Sequence, residues 1–156
     1  MHPLFINKVC AALVAAGVRY ALVGGHAVSL HGAVRGTVDI DIAINWNLLS
    51  LQNTETALEK IGLVSRLPVT AKNVFQFRDE YIENRNLNAW NFHNPENMTE
   101  QVDIIISYDL KGRRRQRLGI ADGAIFVLDI DELIEMKRAC GRPQDLSDVD
   151  ALEKLR

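Results

Sequence analysis

The sequence predicts an α/β (α+β) fold, a mixed twisted sheet of about five to six strands flanked by helices. Short runs rich in Val and Ile, of which VDIIIS at residues 102–107 is the strongest, are typical of buried strands. Longer stretches with apolar residues at helical spacing lie between these runs, and several end at a glycine. No repeat, low-complexity stretch or linker divides the 156 residues, so we expect one domain over residues 1–156.

The first helix is predicted at residues 4–16, where Gly17 ends it and Lys8 interrupts its apolar residues, unlike a signal peptide. Further helices are predicted at residues 26–31, 49–61, 130–140 and 147–155. Strands are predicted at residues 19–23, 37–44, 73–78, 87–92, 102–107 and 124–128. Polar residues 79–86 indicate a turn, and residues 93–100, which contain Asn-Pro, indicate a loop.

The segment YALVGGHAVSLHGAVRGTVDIDIAI, residues 20–44, carries most of the functional signal. Gly24 and Gly25 let the backbone approach a ligand closely, and the helix after them presents N–H groups to an anion. Asp39 and Asp41 are two apart on the next strand and therefore project from one face. Because two such carboxylates repel each other unless a cation or proton lies between them, we expect Mg²⁺ or Mn²⁺ there. A phosphate cradle beside a metal site predicts a nucleoside triphosphate (NTP) as the ligand.

A third carboxylate, Asp103, lies in the strand QVDIIIS among apolar neighbours. A lone acid there would be costly to bury without a partner. If this strand lies beside the one that carries Asp39 and Asp41, the three acids form one cluster that can hold one or two metal ions. Asp103 would then lie nearest the acceptor hydroxyl, where it could act as a general base.

An apolar strand, Gly-Gly, a short helix, Asp-x-Asp and a later strand Asp resemble the DNA polymerase β-like nucleotidyltransferase superfamily. The C-terminal stretch LDIDELIEMKRACGRPQDLSDVDAL is similar to the tail of the minimal, AbiEii-like nucleotidyltransferases of toxin–antitoxin systems. The resemblance covers roughly residues 19–152 and implies the nucleotidyltransferase fold. It implies that Asp39, Asp41 and Asp103 bind the metals.

The same resemblance assigns the phosphate contacts to the turn glycines Gly24 and Gly25 and to the helix lysine Lys137. Many members have Gly-Ser where this chain has Gly-Gly, which removes one hydroxyl contact to a phosphate but leaves the backbone N–H groups. Without the family, Lys137 would be interpreted as a solvated lysine on the polar side of its helix.

Four further residues are candidate nucleotide contacts. His26 follows the glycines directly and could touch a phosphate, whereas for His31 we favour a packing role. Arg35 and Thr37 precede the acids and either bind phosphate or cap the strand. Arg142 is expected to fix its turn through an ion pair with Asp145, near a helix N-cap, and could also reach a phosphate. With the glycines and Lys137, the predicted nucleotide contacts are Gly24, Gly25, His26, Arg35, Thr37, Lys137 and Arg142.

The run KGRRRQR at residues 111–117 has two interpretations. By default it is a solvated connection, because the formal net charge of the chain is -2 and gives no global attraction to nucleic acid. The alternative is that it steers tRNA or another RNA towards the site. Few aromatic residues are available to stack on bases, although Trp46 and Trp90 are present.

We therefore expect a Mg²⁺- or Mn²⁺-dependent nucleotidyltransferase that moves a nucleoside monophosphate from an NTP to a hydroxyl. The resemblance implies RNA or tRNA, a protein or a small molecule as acceptor, and a cognate antitoxin as a possible partner. Alternatives are a catalytically silent NTP-binding module and a metal-dependent phosphohydrolase.

Two cysteines are too few for a disulfide framework, and no apolar stretch approaches the ~20 residues of a membrane span. We expect a cytoplasmic protein without a membrane partner.

Overall fold

The computed structural model describes residues 3–32, 40–120 and 123–156 of the chain. The helices in these ranges are Pro3–Ala15 (α1), Gly24–Leu30 (α2), Leu48–Lys60 (α3), Ala71–Gln76 (α4), Arg78–Arg85 (α5), Ile130–Cys140 (α6) and Pro143–Glu153 (α7). The strands are Tyr20–Val23 (β1), Ile40–Ile44 (β2), Val64–Ser65 (β3), Ala89–Asn94 (β4), Asn97–Ile105 (β5), Arg115–Ile120 (β6) and Gly123–Leu128 (β7). The predicted α/β class is confirmed.

All these strands form one mixed sheet in the order β3-β4-β5-β2-β1-β7-β6. The central pair β1–β2 is antiparallel, whereas β2–β5 and β1–β7 are parallel. The outer pairs β3–β4, β4–β5 and β6–β7 are antiparallel. Strands that are distant in sequence therefore meet at the middle of the sheet, where β2 lies between β1 and β5.

The middle of the sheet is buried on one face. A row of register partners across four strands, Leu22, Ile42, Ile104 and Trp90, has no exposed surface. Since successive side chains on a strand point to opposite faces, the residues next to this row must leave the other face. That second row is Val23, Asp41, Asp103 and Asn91.

The region between α3 and β4 differs from its prediction. The strand predicted at residues 73–78 and the turn at 79–86 are wrong, because α4 and α5 occupy them. Thr70 caps α4: its hydroxyl accepts a hydrogen bond from Asn73 N, and Asn73 Oδ1 accepts one from Thr70 N at 3.0 Å. This reciprocal capping outweighs the strand propensity of Val74 and Phe75. Asn86, with φ at 51°, ends α5 in the left-handed region.

The loop predicted at residues 93–100 is also wrong, because β4 and β5 form a tight hairpin there. Asn94 Oδ1 accepts a hydrogen bond from Glu96 N at 2.9 Å, which closes the turn around Pro95. Asn94 Nδ2 donates to Glu100 Oε1 at 3.0 Å across the two strands. Asn-Pro thus marks a turn of two residues between long strands.

The C-terminal part of the chain contains a strand that the sequence did not predict and a helix that begins earlier than predicted. The second half of the basic run lies in β6, an edge strand paired with β7 along its length. Helix α7 begins at Pro143 rather than at residue 147, because Asp145 reaches back to the Arg142 N–H at 3.2 Å and Pro143 suits a first helical position. None of the helices in residues 3–32, 40–120 and 123–156 is long and apolar enough to cross a membrane.

Candidate active site

Asp41 of β2 and Asp103 of β5 are direct register partners in the parallel pair. Their Cα atoms lie side by side. Both side chains project from the face of the sheet opposite the buried row, and each is half-buried. The condition for a carboxylate cluster, that these two strands are neighbours, is met for Asp41 and Asp103. The pairing brings together two carboxylates from distant parts of the sequence.

Gly24 lies directly against Asp41. Its φ is 69°, a conformation that residues with a Cβ rarely adopt, and it is the first residue of α2. A methyl group at Gly24 would overlap the Asp41 carboxylate and would lie 2.9 Å from the Asp41 Cβ. Only glycine therefore fits here, both because of its φ and because the backbone passes the carboxylate so closely.

Two more predicted site residues of this segment, Gly25 and His26, lie in the described part of the chain. Gly25 is buried in the first turn of α2, and His26 follows it, half-buried. His31 has the packing role that we favoured, since its Nε2 lies 2.7 Å from the Leu128 carbonyl oxygen. The predicted site residues Arg35, Thr37 and Asp39 lie outside the described residues.

Lys137 lies in a buried cluster of ionic groups between α6 and α7. Its ammonium group is 3.0 Å from Asp148 Oδ2 and 3.6 Å from Asp145 Oδ1, and its side chain is 8% exposed. Gln144 Nε2 donates a further hydrogen bond to Asp148 Oδ1 at 3.0 Å. The resemblance places this lysine near a triphosphate. In the structure its ammonium group is paired with two aspartates of α7.

Arg142 binds the same cluster from outside. Its Nε and Nη2 donate to the two oxygens of Asp145 at 2.7 and 3.2 Å, which confirms the predicted ion pair, while its side chain is 75% exposed. Burial by itself raises the pKa of Asp145, but the hydrogen bonds and charge of Arg142, helped by Lys137, bring it below its ordinary value.

The pKa of Arg142 is raised by its hydrogen bond and charge interaction with Asp145, and the negative charge of Asp41 adds a smaller contribution. The guanidinium group thus experiences the charge of a carboxylate on β2. Arg142 is thus an exposed cation near enough to Asp41 for the two charges to interact weakly.

Several solved structures share this arrangement of sheet and helices. The lincosamide antibiotic adenylyltransferase LnuA, with lincomycin bound, matches with a TM-score of 0.64 at 14% identity, over 100% of this chain and 99% of LnuA. The chain has the nucleotidyltransferase fold. No family model matches it, and no curated protein matches it by sequence.

Two other structures with the nucleotidyltransferase fold are similar over nearly the whole chain. ANT(2'')-Ia in complex with adenylyl-2''-tobramycin matches with a TM-score of 0.59 at 14% identity, over 97% of this chain and 91% of that protein. An antigenic nucleotidyltransferase-like protein from Paracoccidioides brasiliensis matches with a TM-score of 0.59 at 18% identity, over 97% and 76%. At these identities the likeness concerns the fold, and the AbiEii-like subfamily stays a prediction.

The carboxylates of this nucleotidyltransferase fold suit a hard divalent cation. Asp41 and Asp103 provide oxygen ligands from adjacent strands, and the Gly24 backbone leaves no room for a side chain beside them. In the described part of the chain, no three His, Cys, Asp or Glu residues cluster as a metal site. Asp39, the third predicted ligand, lies outside that part.

Sequence reasoning missed Asn91, the β4 register partner of Asp103. Its Nδ2 donates to Asp103 Oδ1 at 2.8 Å, and its Oδ1 accepts from Arg66 Nε at 2.8 Å. The available signal was the alternation in AWNFHN, where Trp90 and Phe92 are buried and the polar residues between them must face the other side. That alternation predicts which face Asn91 occupies but not which residue lies opposite it.

The basic run is tied to the body of the protein. Arg113 and Arg114 lie within 4.0 Å of acids at the start of α6, namely Glu132, Glu135 and Asp129. Arg115 donates to the Tyr20 carbonyl oxygen at 2.8 Å and stacks over Phe126. Trp90 is fully buried, so it provides no surface for a base. These contacts favour the structural interpretation of the run over RNA steering.

Proposed function

We propose that the protein is a metal-dependent nucleotidyltransferase that transfers a nucleoside monophosphate from an NTP to a hydroxyl group, with pyrophosphate as the leaving group. The observation that carries this proposal is the register pairing of Asp41 with Asp103 beside the Gly24 backbone, on the nucleotidyltransferase fold. In phosphoryl transfer, positioning and charge neutralisation do most of the catalytic work, and two carboxylates at one point serve both.

In this proposal Asp41 and Asp103, together with Asp39, would hold Mg²⁺ or Mn²⁺. The ion would supply positive charge that neutralises the phosphates and makes the acceptor hydroxyl more acidic. Asp103 lies on the side of the pair away from α2, so we assign it to the acceptor, whose hydroxyl proton its carboxylate would accept.

The triphosphate would lie over the start of α2, against Gly24 and Gly25, with His26 at its edge. Arg142 is the cation we assign to it, because this side chain is exposed and experiences the charge of Asp41. We include Arg35 and Thr37 as further phosphate contacts on the strength of their positions before the acids in sequence. A direct contact from Lys137 stays a prediction, since its ammonium group is paired with Asp145 and Asp148.

For the acceptor we propose a small molecule with free hydroxyl groups, and for the donor ATP. Two solved neighbours support this choice: one is a lincosamide adenylyltransferase with lincomycin bound, and the other holds adenylyl-2''-tobramycin. The pairing of Arg113 and Arg114 in the basic run with local acids weakens the case for an RNA acceptor. A toxin role with a cognate antitoxin rests on the sequence resemblance alone.

The test is transfer from each of the four α-labelled NTPs, with Mg²⁺ or Mn²⁺, to three acceptor sets: aminoglycosides and lincosamides, total RNA, and cytosolic proteins. We expect a labelled small-molecule product and one pyrophosphate per transfer. Asp41→Asn should abolish the product, whereas Asp79→Asn, which changes an exposed acid of α5, should leave it unchanged.

Other outcomes distinguish the alternatives. Labelled RNA or protein would identify a macromolecular acceptor and support the toxin interpretation. Release of orthophosphate without transfer would identify a phosphohydrolase. Metal-dependent NTP binding with no transfer to any acceptor would identify a silent NTP-binding module and overturn the proposed activity.

A further inference from the structure

A chain of three side chains ends at Asp103. Arg66 Nε donates to Asn91 Oδ1 at 2.8 Å, and Asn91 Nδ2 donates to Asp103 Oδ1 at 2.8 Å. Arg66 also binds the backbone of the same residue, since its N–H donates to the Asn91 carbonyl oxygen at 2.9 Å. Asn91 is thereby fixed both by its strand and by its side chain.

The chemistry of these groups fixes the direction of the amide. Arginine can only donate hydrogen bonds, so the atom of Asn91 that faces Arg66 must be the oxygen. The amide NH₂ group therefore faces Asp103, whose carboxylate accepts. Gln101 Oε1, 3.4 Å from the same Asn91 nitrogen, accepts the remaining hydrogen.

The consequence for Asp103 is specific. One carboxylate oxygen is held by a neutral donor, which restricts rotation of the group without cancelling its charge. No Lys or Arg of residues 3–32, 40–120 and 123–156 forms an ion pair with it. A cationic residue in the place of Asn91 would have neutralised the negative charge that a metal ion or an acceptor hydroxyl requires.

We propose that Asn91 is a positioning residue for Asp103, and that Arg66 acts through Asn91 by fixing its amide orientation. This inference rests on the proposed function, because it assigns Asp103 to a metal ion. Partners that hydrogen-bond a metal ligand from behind set its orientation, and losing one commonly weakens metal binding by about 10- to 100-fold.

The hairpin itself supplies a matched control. Asn94 donates to Glu100 across the same two strands at 3.0 Å, and it also closes the turn at Glu96. Its side chain therefore also ties the two strands of the hairpin together, but its register partner is Asn97 and not Asp103. If Asn91 served only the hairpin, replacing Asn94 would have the same consequences for the site.

The experiment measures Mn²⁺ binding calorimetrically in the presence of a non-hydrolysable ATP analogue, so no turnover is required. Asn91→Leu keeps the size of the side chain but removes the donor, and we expect it to weaken Mn²⁺ binding about 10- to 100-fold. Asn94→Leu should bind Mn²⁺ like the wild type. Asp103→Asn gives the baseline for a site that has lost this ligand.

Arg66→Leu provides a second route, because Arg66 is exposed and its replacement leaves the core intact. It should weaken Mn²⁺ binding less than Asn91→Leu, and it should add nothing when Asn91 is already Leu. Equal Mn²⁺ affinity of the wild type, Asn91→Leu and Arg66→Leu would overturn the inference and leave the proposed function standing. If Asp103→Asn itself does not change Mn²⁺ binding, the proposed function fails and the inference fails with it.

Discussion

Two pairs of aspartates in this protein are held in different ways. Asp145 and Asp148 are buried between α6 and α7, where Lys137 binds both and Arg142 adds a bidentate pair with Asp145. Asp41 and Asp103 are half-buried on adjacent strands, and the partner that holds Asp103 is the neutral amide of Asn91. The chain provides its own cations for the first pair, whereas within residues 3–32, 40–120 and 123–156 no Lys or Arg forms an ion pair with Asp103.

This difference in partners distinguishes a structural ion cluster from a candidate metal-binding site. A buried carboxylate pair with its own ammonium group can stabilise a helix–helix contact but has little charge left for a ligand. A carboxylate fixed by a neutral donor retains its charge and its orientation, which a metal ion or a reacting hydroxyl needs. Four substitutions, each in one of these two aspartate pairs or in a residue close to it, test this difference.

The largest effect should come from Asp103→Asn. We expect transfer to fall by about a thousand-fold or more, since charge stabilisation by a bound metal is worth several kcal/mol. Stability should be unchanged or higher by about 0.5 kcal/mol, because like charges opposite each other on neighbouring strands are destabilising. Transfer kinetics and urea unfolding measure the two quantities. A clear loss of stability would place Asp103 with the structural pair instead.

Lys137→Met should have the opposite pattern. Removing the ammonium group leaves two buried aspartates facing each other, and we expect a loss of about 3 kcal/mol in the free energy of unfolding. Arg142 remains beside Asp145, which keeps the loss near the lower end for such pairs. Urea unfolding at neutral pH measures it, with Lys154→Met, an exposed lysine after α7, as the control. A variant as stable as the wild type would refute the structural role.

Gly24→Ala should affect both stability and nucleotide binding. The new methyl group strains the backbone and overlaps the Asp41 carboxylate, so we expect a loss of about 2 kcal/mol in unfolding free energy and much weaker ATP binding. Gly17→Ala is the matched control, since φ is 72° there and nothing lies within 4 Å of an added Cβ. It should lose stability through strain alone and bind ATP normally. Equal behaviour of the two variants would remove the special role of Gly24.

The smallest effect should come from Arg142→Gln. We expect a loss of about 0.5–1 kcal/mol at pH 7, because this guanidinium group is mostly exposed. The pKa of Asp145 is lower in the folded state, so the pair stabilises the protein above the ordinary Asp pKa of about 3.9 and stops doing so as pH falls through the folded value. The difference between the urea midpoints of variant and wild type should therefore narrow as pH falls below the ordinary Asp pKa. A difference that does not narrow at all below that pKa would contradict this.

Local sequence patterns predicted much of the fold correctly. The first helix, the short helix Gly24–Leu30, which begins two residues earlier than predicted, and the helix Ile130–Cys140 all have apolar residues at helical spacing with glycine or a capping residue at one end. The central strands are runs of Val and Ile that have no other favourable place than a buried sheet. Within these elements the residues that predict the structure are also those that pack in it.

The errors arose where apolar and polar residues fit two structures. Residues 73–78 contain Val74 and Phe75 and were predicted as a strand, but the Thr70–Asn73 cap makes them helical. The Asn-Pro in residues 93–100 predicts a loop, but both strands of the hairpin extend into this stretch and leave only a two-residue turn. A cap contact and a cross-strand partner both depend on geometry that a propensity does not contain.

By itself the sequence determined the α/β class, the strands that carry Asp41 and Asp103, and the short helix that follows β1, because strand and helix formation depend on neighbouring residues. Only the tertiary structure decided that β2 lies beside β5 in this register, that Asn91 holds Asp103, and that Lys137 is paired with Asp145 and Asp148. Those contacts join residues far apart in the chain, so they depend on how the whole sheet and its helices pack.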